Sequence, residues 1–257
     1  MTSENGSKSL ACNQSLETNR WGTFYGIGVG PGDPELLTIK AVRLIQQCDV
    51  ITFLGSKKNR SIARDIAAVA LESGGNPKQI EQGFVMPMSN SREIANKVYN
   101  EAASAVSAHL EQGKDVGFLC QGDPFFFGSF SYLHDRLNDK FDTQVIPGIS
   151  SINASAALTQ RPLTLLAENV AIISGRRSNQ DILETLNSFD NVAIMKPGLR
   201  RPEILKVLAN AGRTKDANYI EYAGQPHQKI VKDISLLDDG PGPYFSLFLI
   251  NRQRDYR

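Results

Sequence analysis

The feature that most constrains this chain is a repeated local grammar. Short apolar runs stop at a glycine or Pro-Gly turn, and a stretch with helical spacing follows. Residues 24–29 are apolar, and Gly30-Pro31-Gly32-Asp33 breaks them. Leu36, Leu37, Ile39, Ala41, Val42, Leu44 and Ile45 then recur at helical spacing, with Asp33 and Pro34 as helix-start residues. A run of four to six apolar residues without alternation suits a strand buried on both faces. Such strands belong to parallel sheets covered by helices.

The grammar continues along the chain. Strands are expected at residues 49–54, 84–88, 116–119 and 143–146, and helices at 61–71, 92–111 and 130–137. Pro87 stops the third strand, and Gly113 closes the long helix. After Pro147-Gly148 the pattern restarts. Helices are expected at 151–158, 181–189 and 202–211, and strands at 169–174, 191–195 and 218–222. A last strand, 244–251, is expected to be antiparallel or at an edge. Strands alternating with helices give an α/β fold with mostly parallel sheets. The break divides the chain into an N-terminal α/β domain, 22–148, and a C-terminal one, 149–257. Residues 1–20 are rich in Ser, Asn and Glu, lack an apolar core and read as a disordered tail.

Composition removes several functions. The formal net charge is +1. A binder of nucleic acid carries a basic excess, because phosphate neutralisation drives its affinity. The three cysteines, Cys12, Cys48 and Cys120, form no CxxC pair, which fits a reducing cytoplasm better than a disulfide framework. His109, His134 and His227 are far apart and no HExxH occurs, so no protein metal site is expected. No apolar run reaches the roughly 18 residues that a membrane helix needs.

Ligands of open α/β sheets bind beyond the carboxyl ends of the strands, and here those ends carry three motifs. Gly26-Ile27-Gly28-Val29-Gly30-Pro31-Gly32-Asp33 fits neither GxGxxG in any register nor the phosphate loop GxxxxGK[ST]. A nicotinamide-dependent oxidoreductase would need the first of these. Gln121-Gly122-Asp123-Pro124-Phe125-Phe126-Phe127-Gly128-Ser129 places a glycine where a ligand can approach backbone. Its Asp123 either shapes the turn or binds a hydroxyl or amine. Three successive aromatics cannot all face one core, so one of them lines a cavity or an interface. Pro147-Gly148-Ile149-Ser150-Ser151 offers serines that cap a helix or meet a ligand.

In this order, with GxGxGPGDPELLTxKA first and Met195-Lys196-Pro197-Gly198 last, the segments resemble the tetrapyrrole (corrin/porphyrin) methylase family. The resemblance runs from about Gly22 to Asn251. GDPFFFGSF followed by YLHDRL is most similar to the branch that methylates C-20 of precorrin-2. Relatives that act on uroporphyrinogen carry Asp-Arg-Leu at the end of the second strand. This chain has Phe53-Leu54-Gly55-Ser56-Lys57 there.

The resemblance implies two α/β domains around a cleft, S-adenosylmethionine as methyl donor with S-adenosylhomocysteine as product, a tetrapyrrole substrate and a homodimer. It implies cofactor contacts at Pro31, Gln121, Gly122, Asp123, Phe126, Ser150, Ser151, Met195, Ala223 and Phe245. Gly30, Gly32, Arg176, Arg177 and Lys196 fall to the substrate. Lys57, Lys58, Arg60, Arg200 and Arg201 are further cations for its carboxylates, and Tyr132, His134 and Tyr222 are further polar contacts. Arginine forks match carboxylates. Asp33 and Asp123 are the candidate bases for a proton leaving the methylated carbon. The metal-free substrate and its cobalt-containing counterpart, cobalt-factor II, remain equally compatible.

Overall fold

A computed structural model describes residues 21–57, 60–87, 89 and 91–252. The expected tail and the candidate cation Lys58 lie outside these residues. So do Cys12 and Met88, the last residue of the expected third strand.

The first sheet takes β1 (Phe24–Gly28), β2 (Val50–Gly55), β3 (Ile80–Val85), β4 (Val116–Cys120) and β5 (Thr143–Ile146). Its order is β3-β2-β4-β1-β5, and all of its pairs are parallel. The helices α1 (Ile39–Gln47), α2 (Ile62–Ile66) and α3 (Ala68–Glu72) share one apolar cluster with Ile27, Ile51 and Leu119. The others, α4 (Arg92–Leu110) and α5 (Phe130–Leu137), share a second cluster with Phe24, Val50 and Phe118. Successive strand residues point to opposite faces, so a strand covered on both sides reads as one unbroken apolar run. β4, buried at all five positions, has that character.

The crossover from β1 leads past β4 to β2, and the crossover from β4 leads past β1 to β5. The two connections diverge, which opens a crevice between the carboxyl ends of β1 and β4.

The second sheet follows α6 (Ser151–Thr159), whose Ile152 packs in one cluster with Ala193, Met195 and Ile220. It contains β6 (Val170–Ser174), β7 (Asn191–Met195), β8 (Ala217–Glu221), β9 (Lys229–Val231) and β10 (Ser246–Asn251), with α7 (Asn179–Ser188) and α8 (Arg201–Asn210) packed together. The order is β6-β7-β10-β8-β9. β6 and β7 pair in parallel, while β10 runs antiparallel to both β7 and β8. The last strand is thus antiparallel, as expected, but central rather than at an edge. All six of its residues are buried.

Other differences have local causes. Asp33 caps only a 3-10 turn, Pro34–Leu36, and the helix begins at Ile39 because Thr38 Oγ1 accepts from Ala41 N at 3.1 Å. The stretch expected as one helix over 61–71 is two short ones, meeting at the fully buried Ala67 with ψ near −5°. β3 starts four residues early. It is an edge strand whose Ile80 and Glu81 are exposed, so no apolar run announces it. β9 is also an edge strand, three residues long, and was not expected.

Candidate functional site

Backbone crowding builds the floor of the crevice. Gly30 and Gly122 exchange two hydrogen bonds, 3.3 and 2.7 Å, which tie the β1 turn to the β4 turn. A Cβ on Gly148 would stand 2.1 Å from the Gly122 carbonyl oxygen and 2.8 Å from Gly28 Cα. Only hydrogen fits at this three-way crossing. A Cβ on Gly32 would meet the Ala223 carbonyl oxygen at 2.8 Å, so the β1 turn rests directly on the loop that follows β8. Glycine is needed where one sheet's loops touch the other's.

Between the sheets lies a cavity of about 450 Å³. Its walls come from the carboxyl-end loops of the first sheet and from β7, β8 and β10 of the second. Gln121 Nε2 donates to the Pro31 carbonyl at 2.9 Å and fixes one turn against the other. Asp123 accepts from Phe125 N at 2.9 Å through Oδ1 and from Gly148 N at 3.1 Å through Oδ2. Ser150 Oγ accepts from Asn153 N at 3.3 Å and caps α6, and it donates to Asn153 Oδ1. Met195 and Ala223 are buried on the wall, while Phe126 is partly exposed and Phe245 more so.

The structure brings Pro31, Gln121, Gly122, Asp123, Phe126, Ser150, Ser151, Met195, Ala223 and Phe245 onto this one surface, together with Lys196, Arg60 and Tyr222. Gly30, Gly32, Asp33, Arg176, Arg177, Tyr132 and His134 are not part of the lining. Asp33 Oδ1 accepts from Glu35 N at 2.9 Å in the 3-10 turn. Arg176 is exposed, and Arg177 Nε lies 3.5 Å from Asp181. Tyr132 stacks on Tyr99, and His134 meets Phe125 edge-on. Two further cations are structural. Arg200 donates to the carbonyls of Gly175 and Arg177 and to Asn179 Oδ1, so it shapes a turn. Arg201 is 3% exposed, bonded to Gly240 O and paired with Asp238 and Glu221. Lys57 is exposed, and its backbone bridges to Arg60.

The lining also holds residues that the sequence reading did not single out: Ser56, Ser61, Asp65, Gln225 and Tyr244. Ser56, Ser61 and Gln225 follow strand ends, so the strand-end rule pointed to their loops without choosing among the residues, while Asp65 lies inside α2. Tyr244 precedes β10, and only the antiparallel insertion of that strand brings it round.

The titratable groups at this wall offer no strong nucleophile. Burial pushes the Cys120 thiol well above its ordinary range, so it stays protonated and inert. Among the described residues no cluster of three His, Cys, Asp or Glu side chains could hold a metal ion. Nor is any helix among them long and apolar enough to cross a membrane.

Comparisons with known proteins identify the family and the fold. The family model of the Tetrapyrrole (Corrin/Porphyrin) Methylases matches residues 23–235. The chain is 31% identical over 237 residues to the cobalamin biosynthesis protein CobIJ of Mycobacterium tuberculosis. That match covers 89% of this chain and 46% of the relative, so the chain spans about half of that protein's length. It is 32% identical to the precorrin-2 C(20)-methyltransferase of a Sinorhizobium species, over 91% of this chain and 97% of that one. It is 31% identical to the cobalt-precorrin-2 C(20)-methyltransferase of Salmonella typhimurium, over 91% and 98%. Among solved structures, uroporphyrin-III C-methyl transferase from Thermus thermophilus, complexed with S-adenyl homocysteine, superposes with a TM-score of 0.61 at 23% identity, over 90% of this chain and 97% of that one.

Proposed function

The chain belongs to the tetrapyrrole (corrin/porphyrin) methylases, and from that premise we propose that it methylates C-20 of precorrin-2 with S-adenosylmethionine, in the cavity between its sheets, as a step of cobalamin biosynthesis. The observation that carries the proposal is convergence. Ten residues that the family resemblance implies as cofactor contacts, from Pro31 to Phe245, line one cavity.

The wall suits the cofactor. A cavity of this size falls within the range of small-molecule sites. Met195, Ala223 and Phe126 give an apolar face for an adenosine. Bare backbone at Gly122, the Gln121 amide, and the Ser150 and Ser151 hydroxyls suit a polar amino-acid end. When bound, S-adenosylmethionine supplies a methyl group already activated by its sulfonium. The protein's own work is then alignment and exclusion of water. Phe126 and Phe127 cover the cavity from the first sheet, and Tyr244 and Phe245 cover it from the second. No covalent step is asked of a side chain, which is consistent with the inert thiol and the lack of a Ser-His-Asp set at the wall. Asp123, on the wall, takes the proton that leaves the methylated carbon, and Asp33 shapes the turn beside it.

The substrate's carboxylates meet Arg60, which stands exposed at the cavity rim, and Lys196 opposite it. Gly30, whose N–H and C=O both pair with Gly122, and Gly32 shape the β1 turn that carries Pro31 to the cavity. Arg176 and Arg177 serve a substrate arm reaching past the rim. The chain divides near Pro147-Gly148 into the two domains. Packing of α6 with the second sheet supports that division. A cytoplasmic homodimer is the working assembly. The free, buried thiols of Cys48 and Cys120 and the prevalence of symmetric dimers support it.

The cobalt-containing substrate is the second reading, favoured by the similarity to the Salmonella enzyme. The test is an anaerobic incubation with methyl-labelled S-adenosylmethionine and precorrin-2. Gain of one labelled methyl supports the proposal. Cofactor binding without transfer to this substrate or to cobalt-factor II contradicts it.

A further inference from the structure

Lys196, just after β7 on the second sheet, reaches across the cavity to the loop that follows β4 on the first. Its Nζ donates to the Phe127 carbonyl oxygen at 2.8 Å. The ammonium also lies 5.3 Å from the Tyr244 ring centroid and 5.9 Å from that of Phe127, within cation–π range of both. Both ends of the contact are strained. Lys196 has φ 56° and Phe127 φ 55°, the left-handed region that residues with side chains avoid. Such strain persists where surrounding contacts over-determine it, and it gathers at functional sites. Lys196 N is held by the Ser246 carbonyl at 3.1 Å, so the lysine is anchored to β10 before it reaches out. At the far end Phe126 packs edge-on against Phe127, with centroids 5.3 Å apart, and Phe126 lies on the cavity wall.

We infer that Lys196 is a positioning residue: its ammonium straps the Phe126–Phe127 segment over the cavity and sets how fast the cofactor leaves. The inference rests on the reading above, that the cofactor occupies this cavity. It differs from the simpler role of Lys196 as a ligand of substrate carboxylates. A strap acts on the cofactor whether or not a tetrapyrrole is present. A carboxylate ligand acts on the tetrapyrrole alone.

The experiment measures dissociation of S-adenosylhomocysteine from the full chain by stopped flow, without tetrapyrrole. Lys196→Met keeps the stem and removes the donor. It should release the ligand on the order of ten-fold faster, the worth of one charge-assisted hydrogen bond. Lys196→Arg, which keeps a donor, should recover most of the loss. An unchanged off-rate in Lys196→Met, with only the tetrapyrrole KM raised, would overturn the strap and leave the carboxylate role. If Lys196→Met does not fold, Tyr244→Leu removes the ring beneath the ammonium. A few-fold faster release is then expected, and an unchanged rate counts against the strap. Wild-type protein that binds no S-adenosylhomocysteine would overturn the functional reading and, with it, the effect on cofactor release, whereas binding with an unchanged off-rate in Lys196→Met overturns the strap alone. Hydrogen exchange at residues 125–129 reads the strap without any ligand. Protection should fall in the variant, and equal protection would overturn the inference.

Discussion

Asp123 holds two segments together with one carboxylate. One oxygen accepts from Phe125 in its own loop, and the other from Gly148 in the segment after β5. In Asp123→Asn one oxygen becomes an NH₂ that faces an N–H donor. The variant should lose about 1–3 kcal/mol of stability, seen as a lower Tm. Its turnover should fall much further than its affinity for S-adenosylhomocysteine. Equal losses in turnover and affinity would leave Asp123 a turn residue only. Asp33→Asn keeps a good cap and should cost only a few tenths of a kcal/mol. Its turnover should stay near wild type, because the residue is not on the cavity wall. At Cys48, burial and the nearby carboxylates of Asp115 and Asp49 push the thiol up to about 12. The folded state therefore holds the proton more tightly than the unfolded state. Stability is full below the ordinary thiol value of 9.0 and falls as pH rises from there toward about 12. A Cys48→Ala variant should show a shallower fall in Tm between pH 8 and 10, where the unfolded thiol begins to ionise. At this scale the sequence was legible wherever a residue's place on the cavity follows from a strand end, as at Gln121, Gly122 and Ser150. It was not legible for Arg200 and Arg201, whose guanidinium groups are consumed by carbonyls and carboxylates that only the folded loops bring near.

Between elements, the critical contact is the crossing of three strand-end turns at Gly28, Gly122 and Gly148. Adding a methyl in Gly148→Ala forces backbone against backbone at 2.1 Å, and no flexible side chain can yield. Overpacking of this kind costs about 1–3 kcal/mol or more. The variant should therefore be markedly destabilised in a denaturant titration, and wild-type stability would show that the crossing can open. Buried strands such as β4 and β7 were readable because both faces are covered, leaving an uninterrupted apolar run. Edge strands were not. β3 carries Glu81 and Gln82 where one side needs no partner, and β9 is too short to show a pattern. The central place of β10 was hidden for another reason. A fully buried strand with an unbroken apolar centre, Leu247 to Ile250, reads the same whether its neighbours run parallel or antiparallel, so only tertiary pairing decides its position.

Across the whole molecule the cavity belongs to neither sheet alone. Each sheet supplies a wall, and the Gly32 contact and the Lys196 strap join them. Ligand binding should therefore stabilise both halves together. S-adenosylhomocysteine at 100 times its Kd should add about 2.7 kcal/mol by mass action. It should raise a single cooperative transition rather than one of two. A ligand that shifted only one of two separate transitions would show that the wall is not shared. Sedimentation at twice the chain mass would support the proposed homodimer, and sedimentation as a monomer would remove it. The cavity was expected only through the family resemblance, because it arises where two sets of loops meet at long sequence separation and no local pattern announces it. The motifs around it could be read, because each obeys a local rule. Transfer of a methyl group to C-20 is tested by an anaerobic single-turnover reaction with ¹³C-methyl S-adenosylmethionine, offering precorrin-2 and cobalt-factor II separately and locating the label by NMR. One ¹³C-methyl at C-20 of either macrocycle is the predicted result, and the faster substrate fixes its metal state. A methyl at another carbon, or none on either substrate while S-adenosylmethionine binds, would contradict the claim.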